Sequence, residues 1–188
     1  MVNTKKILRE IYKNKRSKLS FSEVEDLSKE IFKKIKKLNI WSKSNYHIYL
    51  SNQFKKEVDT QKIINFLFSV NKNVIVPKVK KSSLLHIKID KDSSFKLNSL
   101  EFKEPITLNK IDHSTIEIII VPLLCCDKRG HRVGYGGGYY DKFLVDVTAI
   151  KIGLSLFEPV EKIDDIMDHD ISLDYVITPK KIYDFGVT

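Results

Sequence analysis

Cysteine is scarce in this chain: the 188 residues contain two, and these are neighbours, Cys125 and Cys126. Adjacent cysteines cannot join distant segments in a disulfide, and they offer too few ligands for a structural zinc site. A reducing compartment, the cytoplasm, is therefore the expected location. Because free cysteine is among the most buried residue types, we expect both side chains to lie in the core.

Long apolar runs are also missing. No stretch approaches the roughly 20 apolar residues that a membrane helix needs, so we expect no membrane partner. The N-terminal segment MVNTKKILREIYKNKRSKLS carries charges throughout and lacks the apolar region of a secretory signal. It is basic and amphipathic like a transit peptide, but Glu10 and the early start of the folded pattern favour a helix of the domain instead.

The composition, 42% hydrophobic and 30% charged, excludes a disordered chain, and the length suits a single domain spanning 1–188. The net charge of +9, from 33 basic and 24 acidic residues, suits nucleic acid or another polyanion. The lysines are spread along the whole chain, however, and clustered aromatic residues that stack bases are lacking. We therefore expect a solvated basic surface and no nucleic-acid partner.

Hydrophobic periodicity predicts an alternation of helices and strands. The first helix spans Thr4 to about Leu19, and a second begins at a capping box formed by Ser20 with Glu23 or by Ser22 with Glu25. Further helices are predicted over 60–70 and 139–145, and strands over 46–50, 73–79, 84–89, 116–124, 150–156 and 175–178. Residues 90–115 resist assignment. The pattern predicts an α/β fold, a mainly parallel sheet flanked by helices on both faces in a Rossmann-like three-layer domain.

Glycine is rare too, yet five of the seven glycines lie between Gly130 and Gly138, directly after the most apolar strand. Such a run favours a loop whose backbone N–H groups surround an anion at a helix N-terminus, with Arg132 and Lys128 adding positive charge. The P-loop and dinucleotide fingerprints are both absent. A flexible hairpin or hinge is the alternative.

The segment VPLLCCDKRGHRVGYGGGYYDKFL resembles the signature of the 5-formyltetrahydrofolate cyclo-ligase family. Further blocks similar to that family follow in the same order across nearly the full chain: KKILREIYKNKRSKLS, YLSNQFKKEVDT, VIVPKV, KEP, IGLSLF and DHDISLDYVITP. The resemblance implies ATP-dependent cyclisation of 5-formyltetrahydrofolate to 5,10-methenyltetrahydrofolate. ATP would be a co-substrate and Mg²⁺ the cofactor.

The resemblance also implies roles for individual residues. Catalytic roles fall to Arg132, Tyr139 and Asp141, and the metal ligands are Asp141 and Asp170. The ATP-binding residues would be Lys5, Arg9, Arg132, Val133, Gly134, Tyr135, Gly136, Gly137, Gly138, Tyr139 and Tyr140. The substrate-binding residues would be Leu50, Glu57, Tyr135, Gly136, Gly137, Gly138 and Tyr139. Local patterns alone leave simpler interpretations open: a solvated helix face, core aromatics, and carboxylates at a helix start or a turn.

In the implied mechanism, the formyl oxygen attacks the γ-phosphate, N10 attacks the activated carbon, and phosphate leaves with the oxygen. We expect a monomer that binds ATP and 5-formyltetrahydrofolate. Three rival interpretations remain at this point: a kinase or ligase acting on another metabolite, a basic RNA-binding module and a non-catalytic interaction domain.

Overall fold

The computed structural model describes residues 2–98 and 101–186. Within them lie four α-helices, α1 (Lys5–Ser17), α2 (Phe21–Ile35), α3 (Gln61–Ser69) and α4 (Tyr139–Val145), and a short 3₁₀ helix at His113–Thr115. The strands, in chain order, are β1 (Asn45–Ile48), β2 (Asn73–Lys80), β3 (Ser83–Ile89), β4 (Phe95–Leu97), β5 (Lys103–Pro105), β6 (Ile118–Pro122), β7 (Cys125–Cys126), β8 (Arg132–Val133), β9 (Ile150–Leu154), β10 (Tyr175–Ile177) and β11 (Ile182–Asp184).

Seven of these strands form the main sheet, in the order β11-β10-β9-β6-β1-β2-β3. The five inner strands are parallel, and only the two edge strands, β3 and β11, pair antiparallel with their neighbours. The central strand β6 is the apolar run IIIVP, and Ile118 to Val121 are fully buried because both faces are covered. The mainly parallel α/β sheet expected from the sequence is confirmed.

The helices begin where their capping residues predict. The Thr4 hydroxyl accepts the N–H of Ile7 at the start of α1. Ser20 and Glu23 form the capping box of α2, each side chain accepting the backbone N–H of the other residue. The alternative pair, Ser22 with Glu25, lies inside that helix and is not the cap.

Two apolar clusters cover the two faces of the sheet. On one face α2 and α3 pack Ile31, Ile35 and Leu67 against alternate strand residues. On the other face α4 contributes Phe143 and Leu144. A third cluster joins Leu8 and Tyr12 of α1 to Leu124, Cys125 and Val133, so α1 packs on the β7–β8 hairpin at the carboxyl edge rather than on a face of the sheet. Both cysteines are fully buried, as predicted.

Several elements were not predicted. The strands β4 and β5 fall in the unassigned segment 90–115, of which residues 99 and 100 lie outside the described part of the chain. The two-residue strands β7 and β8 and the edge strand β11 also lacked a readable pattern. Among the described helices, none is long and apolar enough to cross a membrane.

The strand order places a topological switch between β1 and β6. From β1 the chain continues to its neighbour β2 on one side, whereas β6 lies on the other side of β1. Loops leaving the carboxyl ends of two such strands diverge and leave a crevice, which is the usual ligand position in open α/β sheets.

Candidate active site

A cavity of about 380 Å³ occupies this crevice. Its walls come from the start of α1, the segment after β1, the strands β2 and β3, and the glycine-rich loop between β8 and α4. Every residue predicted to bind ATP, substrate or metal lines it except Val133. Lys128, expected to add positive charge beside the loop, does not line the cavity and pairs with Glu161 at 2.6 Å. The volume lies within the range of small-molecule sites.

Val133 is the exception because its side chain points into the core. It is 1% exposed and packs with Leu8, Tyr12 and Cys125. Its carbonyl accepts the N–H of Leu124 at 2.8 Å, which closes the β7–β8 hairpin. Val133 therefore holds the loop in place, and its predicted ATP contact stays a prediction.

Two cations of α1 reach the cavity from one side. The Lys5 ammonium pairs with the Asp170 carboxylate. One turn further along, Arg9 donates from Nε to the carbonyl oxygen of Gly134 at 3.0 Å. The i, i+4 spacing that the sequence shows thus places both cations beside the glycine-rich loop.

The loop itself needs glycine at two positions. Gly136 and Gly138 have φ angles of +98° and +67°, a region that L side chains rarely adopt. A Cβ on Gly136 would lie 3.4 Å from the Arg9 guanidinium. The following helix α4 has only seven residues, so its dipole is a minor contribution. An anion would be bound mainly by the exposed backbone N–H groups of the loop.

Arg132 forms a second cation–carboxylate pair in the cavity wall. Its Nη2 donates to Asp141, and its Nη1 donates to the carbonyl oxygen of Ile171 at 2.6 Å. Burial lowers the pKa of the guanidinium, although the charges of Asp141 and Asp170 oppose that shift. Partial burial alone would raise the pKa of Asp170. The hydrogen bond and charge of Lys5 act in the opposite direction, and the pKa of Asp170 lies below its ordinary value.

The predicted metal ligands Asp141 and Asp170 can be tested against the ligand set that magnesium prefers. No group of three or more metal-ligating side chains is present among residues 2–98 and 101–186. Mg²⁺ characteristically takes one or two carboxylates and completes its shell with phosphate oxygens and water. Asp141 and Asp170 both line the cavity, so the donor set fits that mode of binding.

Another part of the cavity wall contains the apolar Leu50 and the buried acid Glu57, while the second buried acid of the wall, Glu104, accepts the N–H of Val79 at 3.0 Å. Leu50 and Glu57 both lie in the segment between β1 and α3. Glu57 is 5% exposed, and its Oε2 accepts the N–H of Asn52 at 2.7 Å. Burial raises the pKa of Glu57, while that hydrogen bond and the charge of Arg16 act against the rise.

The tyrosines of the glycine-rich loop differ in their partners. The Tyr135 hydroxyl accepts from Arg16 Nη1 at 2.8 Å and interacts with the neighbouring Glu57 carboxylate. The Tyr140 hydroxyl is buried and has no partner in the described part of the chain. Because buried polar atoms are nearly always paired, a ligand donor or acceptor would satisfy it.

Sequence reasoning missed Arg16 and the part of the cavity wall that contains Lys55 and Phe102, here called the far wall. Arg16 lies on the same helical stripe as Leu8 and Tyr12, and a cation in an apolar stripe was the available signal. The far wall includes Lys55, whose Nζ lies 3.7 Å from the ring centroid of Phe102. Phe102 belongs to the unassigned segment, where no periodicity marked it.

A parallel sheet with a glycine-rich loop and paired cations at its switch point defines an α/β enzyme fold with a site for a polyanion beside a small molecule. The sequence model described as the 5-formyltetrahydrofolate cyclo-ligase family matches residues 1–179. The chain belongs to that family, as its sequence blocks led us to expect.

Known relatives agree. A probable 5-formyltetrahydrofolate cyclo-ligase of Schizosaccharomyces pombe is 30% identical, and the match covers 93% of this chain and 95% of that protein. A 5-formyltetrahydrofolate cyclo-ligase of Escherichia coli K12 is 31% identical over 73% of this chain and 79% of its own length. The solved structure of Aquifex aeolicus 5,10-methenyltetrahydrofolate synthetase superposes with a TM-score of 0.85 at 26% identity, covering 96% of this chain and 92% of that one.

Proposed function

We propose that this protein uses ATP to convert 5-formyltetrahydrofolate to 5,10-methenyltetrahydrofolate, releasing ADP and phosphate. One observation carries the proposal: a single cavity is lined both by Lys5, Arg9 and the glycine-rich loop, here called the basic end, and by Leu50 and Glu57, here called the apolar end. A polyphosphate and a pterin can therefore occupy adjacent volumes. Family membership and the relatives' activities support the same reaction.

The basic end suits the triphosphate. Lys5 and Arg9 supply positive charge, and the backbone from Gly134 to Gly138 supplies N–H groups that no Cβ shields at Gly136 and Gly138. Arginine can contact two phosphate oxygens with its planar fork. Tyr139 and Tyr140 follow the loop, and both residues line the cavity.

The apolar end suits the folate. Leu50 offers a surface for the flat pterin ring, and the Glu57 carboxylate can accept its amino and ring N–H groups. Tyr135 lies between the two ends and can touch both substrates. A buried carboxylate whose hydrogen-bonding capacity is left partly unused gives specificity, because a ligand lacking the matching donors leaves it unsatisfied.

Asp141 and Asp170 would hold a magnesium ion against the phosphates. The ion would neutralise charge that develops on the transferring phosphoryl group. Each carboxylate is paired with a cation, Asp141 with Arg132 and Asp170 with Lys5. Both cations line the cavity and are available to phosphate oxygens once nucleotide binds.

The reaction needs alignment more than a side-chain nucleophile. The formyl oxygen attacks the γ-phosphorus and ADP departs, which turns a poor leaving group into a phosphate. N10 then attacks the formyl carbon, the C–O bond breaks, and N10 loses its proton as the methenyl bridge forms. Arg132 and the glycine-rich loop would stabilise the phosphoryl charge while the two ends of the cavity hold the reacting atoms in line.

The test is to mix the protein with ATP, Mg²⁺ and 5-formyltetrahydrofolate and to follow the near-ultraviolet absorbance of the methenyl product. We expect product only when all three are present, with one ADP formed per product. ATP binding without conversion would instead favour a kinase or ligase for another metabolite. RNA binding with steep salt dependence and no response to ATP would favour the RNA-binding module.

We further propose that the protein acts as a single-domain monomer in the cytoplasm. The basis for the compartment is the pair of free, buried cysteines. Sedimentation of the purified protein at several concentrations tests the oligomeric state, and a mass that rises with concentration would contradict it.

A further inference from the structure

Arg16 is a buried cation for which the proposed chemistry has no role. It lies on α1, is 3% exposed and does not line the cavity. Its Nη1 donates to the Tyr135 hydroxyl at 2.8 Å and its Nη2 donates to the carbonyl oxygen of Leu123. Nε is buried without a partner in the described residues. Burying a guanidinium is costly, so its two directed contacts indicate more than packing.

Tyr135 connects Arg16 to the folate end of the cavity. Its hydroxyl accepts from Arg16, which occupies a lone pair, and it lies beside the Glu57 carboxylate, with which it interacts. A hydroxyl has one proton to give. With the guanidinium as donor to Tyr135, that proton is free for the neighbouring Glu57 carboxylate, so donor, relay and acceptor can act in sequence.

Glu57 is surrounded by groups from several elements. These are Arg16 from α1, Tyr135 from the glycine-rich loop, Tyr140 from α4, Tyr49 after β1, and Lys55 from its own loop. The tyrosines are neutral, and burial raises the pKa of each hydroxyl further. Lys55 is only partly buried, with its ammonium over the Phe102 ring. Arg16 is therefore the fully buried positive charge that faces this carboxylate.

We propose that Arg16 is a positioning residue for folate: it orients Tyr135, and together they hold the Glu57 carboxylate in one orientation for the pterin N–H groups. This inference rests on the proposed function. Since Lys5 and Arg9 lie on the same helix, α1 would serve the phosphate end and the folate end of the cavity with one rigid element.

The charge of Arg16 should affect how kcat/KM for the folate substrate depends on pH. Burial raises the pKa of Glu57 and the Arg16 charge opposes that rise. Removing the charge therefore raises the pKa further, and more of the acid is protonated at a given pH. A protonated Glu57 can no longer accept two N–H groups, so kcat/KM for folate should begin to fall at a higher pH than in the wild type.

The experiment compares Arg16→Met, Arg16→Lys and Lys13→Met, the last being an exposed cation of the same helix. Each protein is assayed for the KM of both substrates and for the pH dependence of kcat/KM with the folate substrate. Arg16→Met should raise the folate KM about tenfold, leave the ATP KM nearly unchanged and move the acid limb to higher pH. Arg16→Lys keeps a positive charge, so its acid limb should lie between those of Arg16→Met and the wild type. Lys13→Met should match the wild type.

A second comparison isolates the relay. Tyr135→Phe should also raise the folate KM, and the double variant Arg16→Met/Tyr135→Phe should be little worse than either single variant, because both changes break the same sequence of contacts. If Arg16→Met does not fold, Arg16→Lys and Tyr135→Phe still decide the matter. Tyr135→Phe removes a contact that lowers the pKa of Glu57, so it should also move the acid limb to higher pH, with Arg16→Lys between it and the wild type. A folate KM and an acid limb that both stay at their wild-type values in Tyr135→Phe would overturn the proposal.

The outcomes separate this inference from the function it rests on. Wild-type protein that does not convert 5-formyltetrahydrofolate rejects the proposed function. Wild-type turnover, combined with Arg16 variants that raise both KM values equally and leave the acid limb in place, rejects only the positioning role and leaves Arg16 as a fold-stabilising residue.

Discussion

Arg9 and Gly134 are 125 residues apart in the chain, yet Arg9 Nε donates to the Gly134 carbonyl oxygen at 3.0 Å. The same guanidinium lies beside Gly136, where a Cβ would approach it to 3.4 Å. The first helix and the glycine-rich loop therefore form one continuous wall. A phosphate held by that wall would be contacted by both segments, so changes in either should affect nucleotide binding in the same way.

The first prediction concerns the two cations of this wall. Replacing Lys5 or Arg9 with methionine keeps most of the side-chain volume and removes the charge. Each variant should raise the ATP KM about tenfold, since hydrogen bonds from a charged group are worth about 1.5–3 kcal/mol. Calorimetric titration with nucleotide measures the loss directly.

Lys13→Met is the matched control for that comparison, because Lys13 lies on the exposed face of α1 and pairs only with Glu10. It should bind nucleotide like the wild type. Unchanged nucleotide affinity in both the Lys5 and Arg9 variants would remove α1 from the phosphate site.

The second prediction tests the backbone of the loop. Gly136→Ala adds a Cβ at a φ of +98° and brings it against Arg9, so the local backbone should shift and the ATP KM should rise. Gly186→Ala is a control with a similar backbone, since its φ is +84°, nothing lies within 4 Å of its Cβ, and it does not line the cavity. Equal ATP KM values in the two variants would show that the conformation of the loop at Gly136 does not affect nucleotide binding.

Elements whose pattern is local were predictable from the sequence. The helix over 139–145 has the predicted bounds, and the capping residues Thr4 and Ser20 begin α1 and α2. The strand β6 is central because its residues are apolar without alternation, which requires cover on both faces. The glycine-rich loop follows that strand, and the rule for open α/β sheets placed it at the carboxyl edge.

Features that depend on distant contacts were not predictable. Arg16 is buried because Tyr135 and Leu123 reach it from more than a hundred positions along the chain. The edge strand β11 has three residues, and only its pairing with β10 defines it. The pairing of Asp141 with Arg132 and of Asp170 with Lys5 likewise comes from the folded arrangement, since spacing in the sequence gives no distance between side chains.

The third prediction concerns the proposed metal ligands. Asp141→Asn keeps the shape of the side chain but removes the charge that would bind magnesium, so magnesium-dependent turnover should be lost. Asp146→Asn, an exposed residue directly after α4, is the control and should keep wild-type activity and magnesium dependence. Titration of activity with Mg²⁺ is the measurement, and an Asp141→Asn protein with full activity at wild-type magnesium concentrations would exclude this carboxylate from the metal site.

The fourth prediction concerns stability and starts from His47, in the middle of β1. Its side chain is fully buried, and neither ring nitrogen has a partner within the described residues. The ring packs against His86 and Phe143, with centroid distances of 5.2 and 4.9 Å. Burial, and secondarily the nearby His86, lowers the pKa of His47 well below 6.5, and burial likewise lowers the pKa of His86 to about 4.

The sign of the pH dependence follows from which state binds the proton. In the unfolded chain His47 takes up a proton as the pH falls through its ordinary pKa of about 6.5, whereas in the folded protein it stays neutral. The folded state is therefore fully stable above that pH and loses up to about 1.4 kcal/mol per pH unit below it for this histidine.

His47→Leu removes the group, so the free energy of unfolding should fall less steeply as the pH drops from about 6.5 to about 5. Urea unfolding at several pH values measures the slope, and His169→Gln, an exposed histidine, should keep the wild-type slope. If His47→Leu loses stability with falling pH as steeply as the wild type, then the buried imidazole is not what makes the fold sensitive to acid, and His86 becomes the next residue to replace.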